Sequence, residues 1–456
     1  MKPIVKLGKA ISITFEGKAL RAYEGETIAT ALYRNGVRVF GRSFKYRRPR
    51  GPFCFSGNCA RCLVRVDGVS NIRSCRTQVR EGMAIERQRG WPSADFDAPS
   101  FFLNREVGPG FQYKHGLRLW SAYKWIYERL VGIGEALGEL EGRFKHKSVE
   151  VDLSIIGGGV AGLAAINEAH KWGVESLLIE GAPWLGGRIA LIHSQIAELS
   201  EFFPEKTGFE IASSLSSDVD VVKNTTAFGF YEPNTIAASS PDTFYEVKAK
   251  SCIIATGGYE RNIVFENNDM PGIISSVGVL KLLNGYGVKP GDSCVLVGGD
   301  RDVAYIAREL LDAGINVTMI GDAPVEGIQS IEGRIVGASG RNRVDELLLT
   351  TCEGRVKKRV DFVVLAGGLI PTYELLHQAG CNLIYEGRFG GFVAEHDGNM
   401  KCLGADNIFL AGDVAGQRGF KDAYIDGKVA ALSAIHSLTG AHEALEDMET
   451  WKERRR

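Results

Sequence analysis

Cys54, Cys59, Cys62 and Cys75 follow one another with the spacing C-x4-C-x2-C-x12-C. Thiolates are soft ligands, and the first three of these cysteines have the spacing of the plant-type 2Fe-2S arrangement. Two sulfide-bridged irons need four thiolates, and a tight loop must wrap them so that backbone N–H groups face the sulfurs. Gly57 and the small Ser56, Asn58 and Ala60 leave room for that approach. Two other readings compete. A zinc site more often pairs two C-x2-C hooks, and only Cys59/Cys62 form one here. Four unrelated core thiols are the other. The spacing favours the cluster, a centre that passes single electrons and binds no substrate. Arg61, Arg65 and Arg73 flank it in sequence, and positive charge aimed at a cluster raises its reduction potential.

A second chemistry lies in SIIGGGVAG, residues 154–162, an apolar run leading through Gly157, Gly159, Val160, Ala161 and Gly162 into a helix-forming stretch. Gly157 permits the tight turn, Gly159 admits a pyrophosphate to the backbone, and Gly162 lets helix and strand pack closely. Glu180 ends the next apolar run, where an acid accepts adenosine ribose hydroxyls. Gly187 and Arg188 follow in LGGR, Thr256 and Gly257 in ATGG, and Gly412 and Asp413 in NIFLAGD. These segments resemble flavoproteins with two dinucleotide-binding domains. There the Gly-Asp aspartate bonds the ribityl chain or pyrophosphate, and the ATG segment closes the pocket. Together they favour FAD, with NAD or ATP as alternatives in the same site. Ala227, in TTAFGFYEPN, is counted among the cofactor contacts.

A second strand–glycine motif, VLVGGDRDVA, departs from the pattern. Asp300 stands where a close-approach glycine is expected, and a carboxylate repels a pyrophosphate. Asp322, after NVTMIG, would suit an unphosphorylated ribose. A structural remnant and a working NAD(H) site both remain open.

The elements that must position these residues follow from periodicity. Residues 10–16 and 63–67 alternate as half-buried strands, and 26–33 reads as a short helix closed by Asn35-Gly36. That order predicts a β-grasp ferredoxin-like domain over 1–100, ending near Trp91-Pro92. Residues 101–150 are expected to be a helical linker, with an aromatic side (Leu119, Trp120, Tyr123) that packs modules together. From Val151 short apolar runs ending in glycine predict an α/β fold of two Rossmann-like dinucleotide-binding domains, one inserted in the other. The first spans 151–265 and 371–456, the second 266–370.

Composition sets the outer limits. The chain has 456 residues, 45% hydrophobic and 24% charged, enough for a large core. A formal net charge of −1 gives no reason to expect nucleic acid. No apolar run reaches the ~18 residues of a transmembrane helix, and no secretory signal is visible. The expectation is a cytoplasmic protein that a partner could tether to a membrane. Cys252, Cys294, Cys352, Cys381 and Cys402 read as ordinary core residues. A disulfide reductase is not expected, since no C-x2-C follows Cys62. No His, Lys or carboxylate stands out as a substrate base.

Several longer segments carry a family resemblance. SFKYRRPRG (43–51), GWPSADFD (90–97), GFQYKHG (110–116), TTAFGFYEPN (225–234), ATGGYERNIVFENNDMPGI (255–273) and DVAYIA (302–307) resemble the amino-terminal half of the alpha subunit of heterotetrameric sarcosine oxidase. Related complexes include proline and hydroxyproline dehydrogenases, opine oxidases and a cyanide-forming glycine dehydrogenase. Two departures matter. The sequence stops at Arg456 without the folate-binding half of those subunits, which puts folate coupling and sarcosine itself in doubt. It also carries the cluster cysteines that such subunits generally lack. The resemblance implies a hetero-oligomer with a partner flavoprotein of the D-amino-acid-oxidase type, and FMN between the two.

The expected function is therefore electron transfer within an amine or amino-acid dehydrogenase: a CH–NH oxidoreductase complex in which another polypeptide oxidises the substrate. The electron acceptor is unknown. The rival is a self-sufficient NAD(P)H-dependent FAD/2Fe-2S reductase, and a third reading is a scaffold whose nucleotide only holds the fold.

Overall fold

The computed structural model describes residues 3–43, 47–88, 90, 93–97, 144–217, 219–231, 234–299, 302–321, 325–416 and 418–455. Most of the expected helical linker, the Trp91-Pro92 boundary, and Asp300 and Asp322 of the second motif lie outside the described residues.

The N-terminal module is a five-stranded mixed sheet packed on one helix. Strands β1 (Ala10–Phe15) and β2 (Lys18–Tyr23) form a hairpin, followed by α1 (Ile28–Arg34), β3 (Leu63–Val66), β4 (Val69–Arg73) and β5 (Ala84–Glu86). The sheet order is β2-β1-β5-β3-β4, with β1 and β5 parallel at its centre. In β1 the residues alternate strictly, so Ile11, Ile13 and Phe15 enter the core. The helix starts slightly later than its apolar pattern suggests because Thr27 caps it. Thr27 and Thr30 exchange side-chain and backbone hydrogen bonds as a capping box. Gly36, at φ 79°, lets the chain turn away after Asn35.

The next module is built on β6 (Lys145–Ile156), α2 (Val160–Lys171), β7 (Ser176–Ile179), α3 (Gly208–Leu215), β8 (Val221–Val222), β9 (Thr226–Tyr231), β10 (Thr235–Ser239) and β11 (Thr243–Ile254). Strands β8-β7-β6-β11 are parallel, and β10 and β9 extend the sheet antiparallel. Residues 145–150 correct the linker expectation: they are the outer half of β6, not helix. Their exposed, charged side chains hide the strand from a hydrophobic pattern, while backbone pairing to Thr243–Lys248 fixes it.

The inserted segment contains β12 (Ile273–Ser275), α4 (Ser276–Leu280), β13 (Ser293–Gly298), α5 (Val303–Asp312), β14 (Asn316–Ile320), β15 (Gln329–Ile331), β16 (Arg334–Ser339), β17 (Glu346–Thr351), β18 (Gly354–Arg359) and β19 (Phe362–Ala366). A parallel sheet β12-β19-β13-β14-β15 is accompanied by the antiparallel meander β16-β17-β18. The chain then returns through β20 (Ile408–Leu410), α6 (Phe420–Thr439) and α7 (His442–Glu453). Strand β20 pairs with the inner half of β11, whose outer half pairs with β10.

Contacts divide the chain into two compact units. One joins residues 1–140 to 262–367, the other joins 141–261 to 368–456. The N-terminal module thus folds together with the insertion. Phe53 and Cys54 share a buried cluster with Phe265, Ile273, Val295, Val363 and Leu365, and Ile4 and Val5 donate to the carbonyls of Asn284 and Gly285.

No helix among the described residues is long and apolar enough to cross a membrane. All nine cysteines are free thiols. Cys252, Cys294, Cys381 and Cys402 are buried as expected, but Cys352 is exposed, because the turn between β17 and β18 carries it into solvent.

Candidate functional site

The cysteine loop is shaped by three left-handed residues, Phe55 (φ 48°), Gly57 (φ 88°) and Ala60 (φ 51°). Glycine adopts this conformation freely, whereas Phe55 and Ala60 hold it at a steric cost. The turns aim backbone N–H groups inward. Ser56 N faces Cys54 Sγ at 3.4 Å, and the N–H of Arg61 hydrogen-bonds Cys59.

The four thiols form two hydrogen-bonded pairs, Cys54 with Cys59 and Cys62 with Cys75. In the first pair the hydrogen bond from Cys54 pulls Cys59 down to about 6, and the same bond raises Cys54. In the second the bond to Cys75 brings Cys62 down to about 7, and Cys75 is raised. Within each pair the shared hydrogen bond lowers one thiol and raises the other, as for two thiols sharing one proton. Among the described residues no three His, Cys, Asp or Glu side chains gather as they would round a single metal ion. Four thiols in one N-terminal module are the ligand set of a 2Fe-2S centre, which takes two thiolates on each iron. Cys54, Cys62 and Cys75 are buried, and Cys59 is partly exposed.

Of the three flanking arginines, Arg61 turns toward the cysteines. It interacts electrostatically with Cys59 and Cys54, and stacks 5.1 Å from the Phe53 ring. Arg65 instead meets Ser70 and Glu86, and Arg73 ends strand β4 with an exposed side chain.

The dinucleotide motif opens onto a cleft lined by Gly157, Gly159, Val160, Ala161, Glu180, Gly187, Arg188, Thr256, Gly257, Gly412 and Asp413. Local geometry explains each glycine. Gly157 sits at φ 107°, and a Cβ on Gly162 would lie 1.8 Å from the Gly157 carbonyl oxygen. Gly162 thus sets the helix–strand approach from beneath and does not line the cleft. A Cβ on Gly159 would meet nothing within 4 Å. The space beside it is the open approach a pyrophosphate needs.

Glu180 is locked under this turn. Its Oε2 accepts from Gly158 N at 2.6 Å and its Oε1 from Ala182 N at 2.5 Å. Arg188 Nη2 donates to Asp413 Oδ2 at 2.7 Å, and Asp413 Oδ1 accepts from Arg418 N at 3.0 Å. Thr256 Oγ1 and Thr372 Oγ1 share a hydrogen bond at 2.7 Å. Helix α2 is preceded by Gly159 and α6 by Gly419, and neither N-terminus has a side-chain cap. Both open toward the cleft, so the positive ends of two helices are presented to an anionic ligand. The residues present therefore fit a dinucleotide.

Ala227 is not among the residues that line this cleft. It lies in β9, the outermost antiparallel strand, at an irregularity opposite Ala238. The sequence reading missed Arg418, Gly419 and Phe420, which line the cleft from the start of α6. Their signal was available: a glycine directly before a helix-forming run, shortly after Gly-Asp. In the inserted domain Gly298 keeps the strained turn, at φ 132° with Ala366 O 1.9 Å from its absent Cβ. Asp300 and Asp322 of that motif fall outside the described residues.

Comparison with known proteins matches a domain to each of these two regions. Residues 8–90 match the 2Fe-2S iron-sulfur cluster binding domain, and residues 151–325 match the pyridine nucleotide-disulphide oxidoreductase domain. The chain is thus an oxidoreductase polypeptide in which a 2Fe-2S domain precedes an FAD-type dinucleotide-binding fold.

It is a homologue of sarcosine oxidase alpha subunits. That of Rhizobium meliloti (strain 1021) is 30% identical over 94% of this chain and 46% of the relative. An opine oxidase polypeptide of Agrobacterium tumefaciens (strain Ach5) is 24% identical, over 63% of this chain and 66% of its own. Among solved structures, the L-proline dehydrogenase from P. horikoshii superposes with a TM-score of 0.72 at 25% identity, covering 98% of this chain and 78% of that one. The chain spans less than half the length of the sarcosine oxidase subunits it matches.

Proposed function

We propose that this chain is the electron-transfer subunit of a multi-subunit amine or amino-acid dehydrogenase. The observation that carries the reading is a 2Fe-2S cluster binding domain, containing Cys54, Cys59, Cys62 and Cys75, within a chain otherwise similar to sarcosine oxidase alpha subunits. A flavin takes electrons in pairs and releases them singly, which is the form a 2Fe-2S centre accepts. Glu180 holds the adenosine ribose, and Gly159 with the α2 N-terminus receives the pyrophosphate. The Arg188–Asp413 pair and the α6 N-terminus fix the other half of FAD. The four cysteines hold the cluster, and partly exposed Cys59 marks the side from which electrons leave.

The substrate is a secondary amine or amino acid, and its oxidation belongs to a partner flavoprotein with FMN at the junction. Three named relatives point that way, since they are subunits or dehydrogenases of this chemistry. Nine free thiols suit a reducing compartment, and we place the complex in the cytoplasm.

The test is purification with native partners, identification of every released cofactor, and EPR after addition of proline, sarcosine or an opine. Substrate-dependent reduction of a 2Fe-2S signal in the complex, absent with the isolated chain, is expected. Oxidation of those substrates by the isolated chain at the rate of the complex overturns the division of labour. Rapid reduction of the isolated chain by NADH favours a self-sufficient reductase instead.

A further inference from the structure

The cluster loop leans on the inserted domain at several points. Ser275, the N-cap of α4, donates twice to the Phe53 carbonyl, from N at 3.2 Å and from Oγ at 3.1 Å. Gly278 in that helix comes so close that an added Cβ would stand 2.3 Å from the same oxygen. Arg61 Nη2 donates to the backbone carbonyls of Asp269 at 2.5 Å and Met270 at 3.4 Å.

Directly after α4 the helix widens into a single π-turn, Lys281–Gly285. Such turns re-aim side chains and recur at functional sites. Lys281 opens it, and its Nζ donates to Ser56 Oγ at 2.8 Å. That hydroxyl donates in turn to the Cys54 carbonyl at 2.9 Å, while the Ser56 N–H faces Cys54 Sγ. An ammonium from the insertion is thereby fixed two hydrogen bonds from a cluster cysteine.

We propose that the inserted domain is the seat of the cluster, and that Lys281 is the positioning residue through which it raises the cluster's reduction potential. By charge count, a 2Fe-2S centre on four thiolates is a dianion when oxidised and gains a further negative charge on reduction. A fixed cation beside it favours the reduced form. This gives the insertion a task that does not depend on whether its own nucleotide motif works. The inference rests on the cluster assignment made above.

The experiment is an EPR-monitored redox titration of the full chain with its cluster loaded, comparing wild type, Lys281→Met and Lys281→Arg. Lys281→Met is expected to need roughly tenfold more reduced mediator for half-reduction, which for one electron is a shift of about 59 mV to lower potential. Lys281→Arg should stay near wild type, with iron content and g-values unchanged in both. Ser56→Ala, which keeps the charge but removes its anchor, should shift the same way by less, and it serves as the second arm if Lys281→Met fails to fold. An unchanged midpoint in Lys281→Met, or in Ser56→Ala where that arm is needed, overturns the proposal, as does iron loss with an unaltered midpoint in what remains. Absence of any 2Fe-2S signal from wild type overturns the cluster assignment itself, a distinguishable result.

Discussion

Arg188 and Asp413, 225 residues apart in sequence, meet in an ion pair at 2.7 Å on the wall of the dinucleotide cleft. The pair ties the segment after Glu180 to the segment before α6. Asp413 also accepts from Arg418 N, so one carboxylate organises both the arginine and the α6 N-terminus. Asp413→Ala is expected to leave the partly buried Arg188 without this carboxylate and to weaken flavin retention by roughly ten- to a hundredfold. Flavin-to-protein ratio after gel filtration, at several protein concentrations, checks this; full retention refutes the role given to the pair.

Two glycines one turn apart should behave differently. Gly162→Ala places a methyl against the Gly157 carbonyl, an overpacking that costs about 1–3 kcal/mol or more. Its melting temperature should fall by several degrees with flavin lost as well. Gly159→Ala meets no neighbour, so the flavin-depleted protein should melt like wild type while flavin affinity drops. Differential scanning calorimetry with and without added FAD separates the two cases. Equal destabilisation of both flavin-depleted variants contradicts the geometry.

Serine at any one of positions 54, 59, 62 or 75 should abolish or cripple the 2Fe-2S centre, whereas Cys352→Ser should leave it intact. Because the dinucleotide cleft belongs to the other compact unit, flavin content should survive loss of iron. Iron, labile sulfide and flavin assays on the same preparation provide the check. Bound zinc in place of iron in wild type would remove the electron relay altogether.

Asp426 is buried within α6, and burial raises its carboxyl to about 6 despite Arg455 at 2.8 Å and Arg418 at 3.8 Å. A folded-state value above the unfolded 3.8 means the native state binds the extra proton. The stability this group contributes is thus present below about pH 4 and lost as pH rises through about 6. Asp426→Asn should flatten that part of the profile, so its stability relative to wild type rises between about pH 4.5 and 6.5. Parallel urea titrations across that range measure the difference; superimposable pH slopes count against a raised carboxyl.

The two chemistries were legible from the chain alone because each is local. A metal cluster needs its cysteines at short spacings, and a phosphate-binding turn needs glycines within half a dozen residues of one another. So C-x4-C-x2-C, Gly157-x-Gly159-x-x-Gly162 and the acid at Glu180 announced themselves, as did the buried parallel strands that end beside them. Strand residues 145–150 did not, because an exposed strand half has no hydrophobic period and is defined by its partner's backbone. Arg418 and Phe420 were passed over because nothing in their types singles them out until α6 folds back onto Gly412.

What only the tertiary structure decided is who neighbours whom across long gaps. Sequence order suggests an independent ferredoxin module, yet the fold buries Phe53 and Cys54 with residues more than two hundred positions away and brings Lys281 to Ser56. It also sets Ala227 in the outer strand β9, opposite Ala238. Spacing encodes which ligands a short loop can gather. Charge and burial around them depend on surfaces that meet only after long-range packing, and no local pattern carries that information.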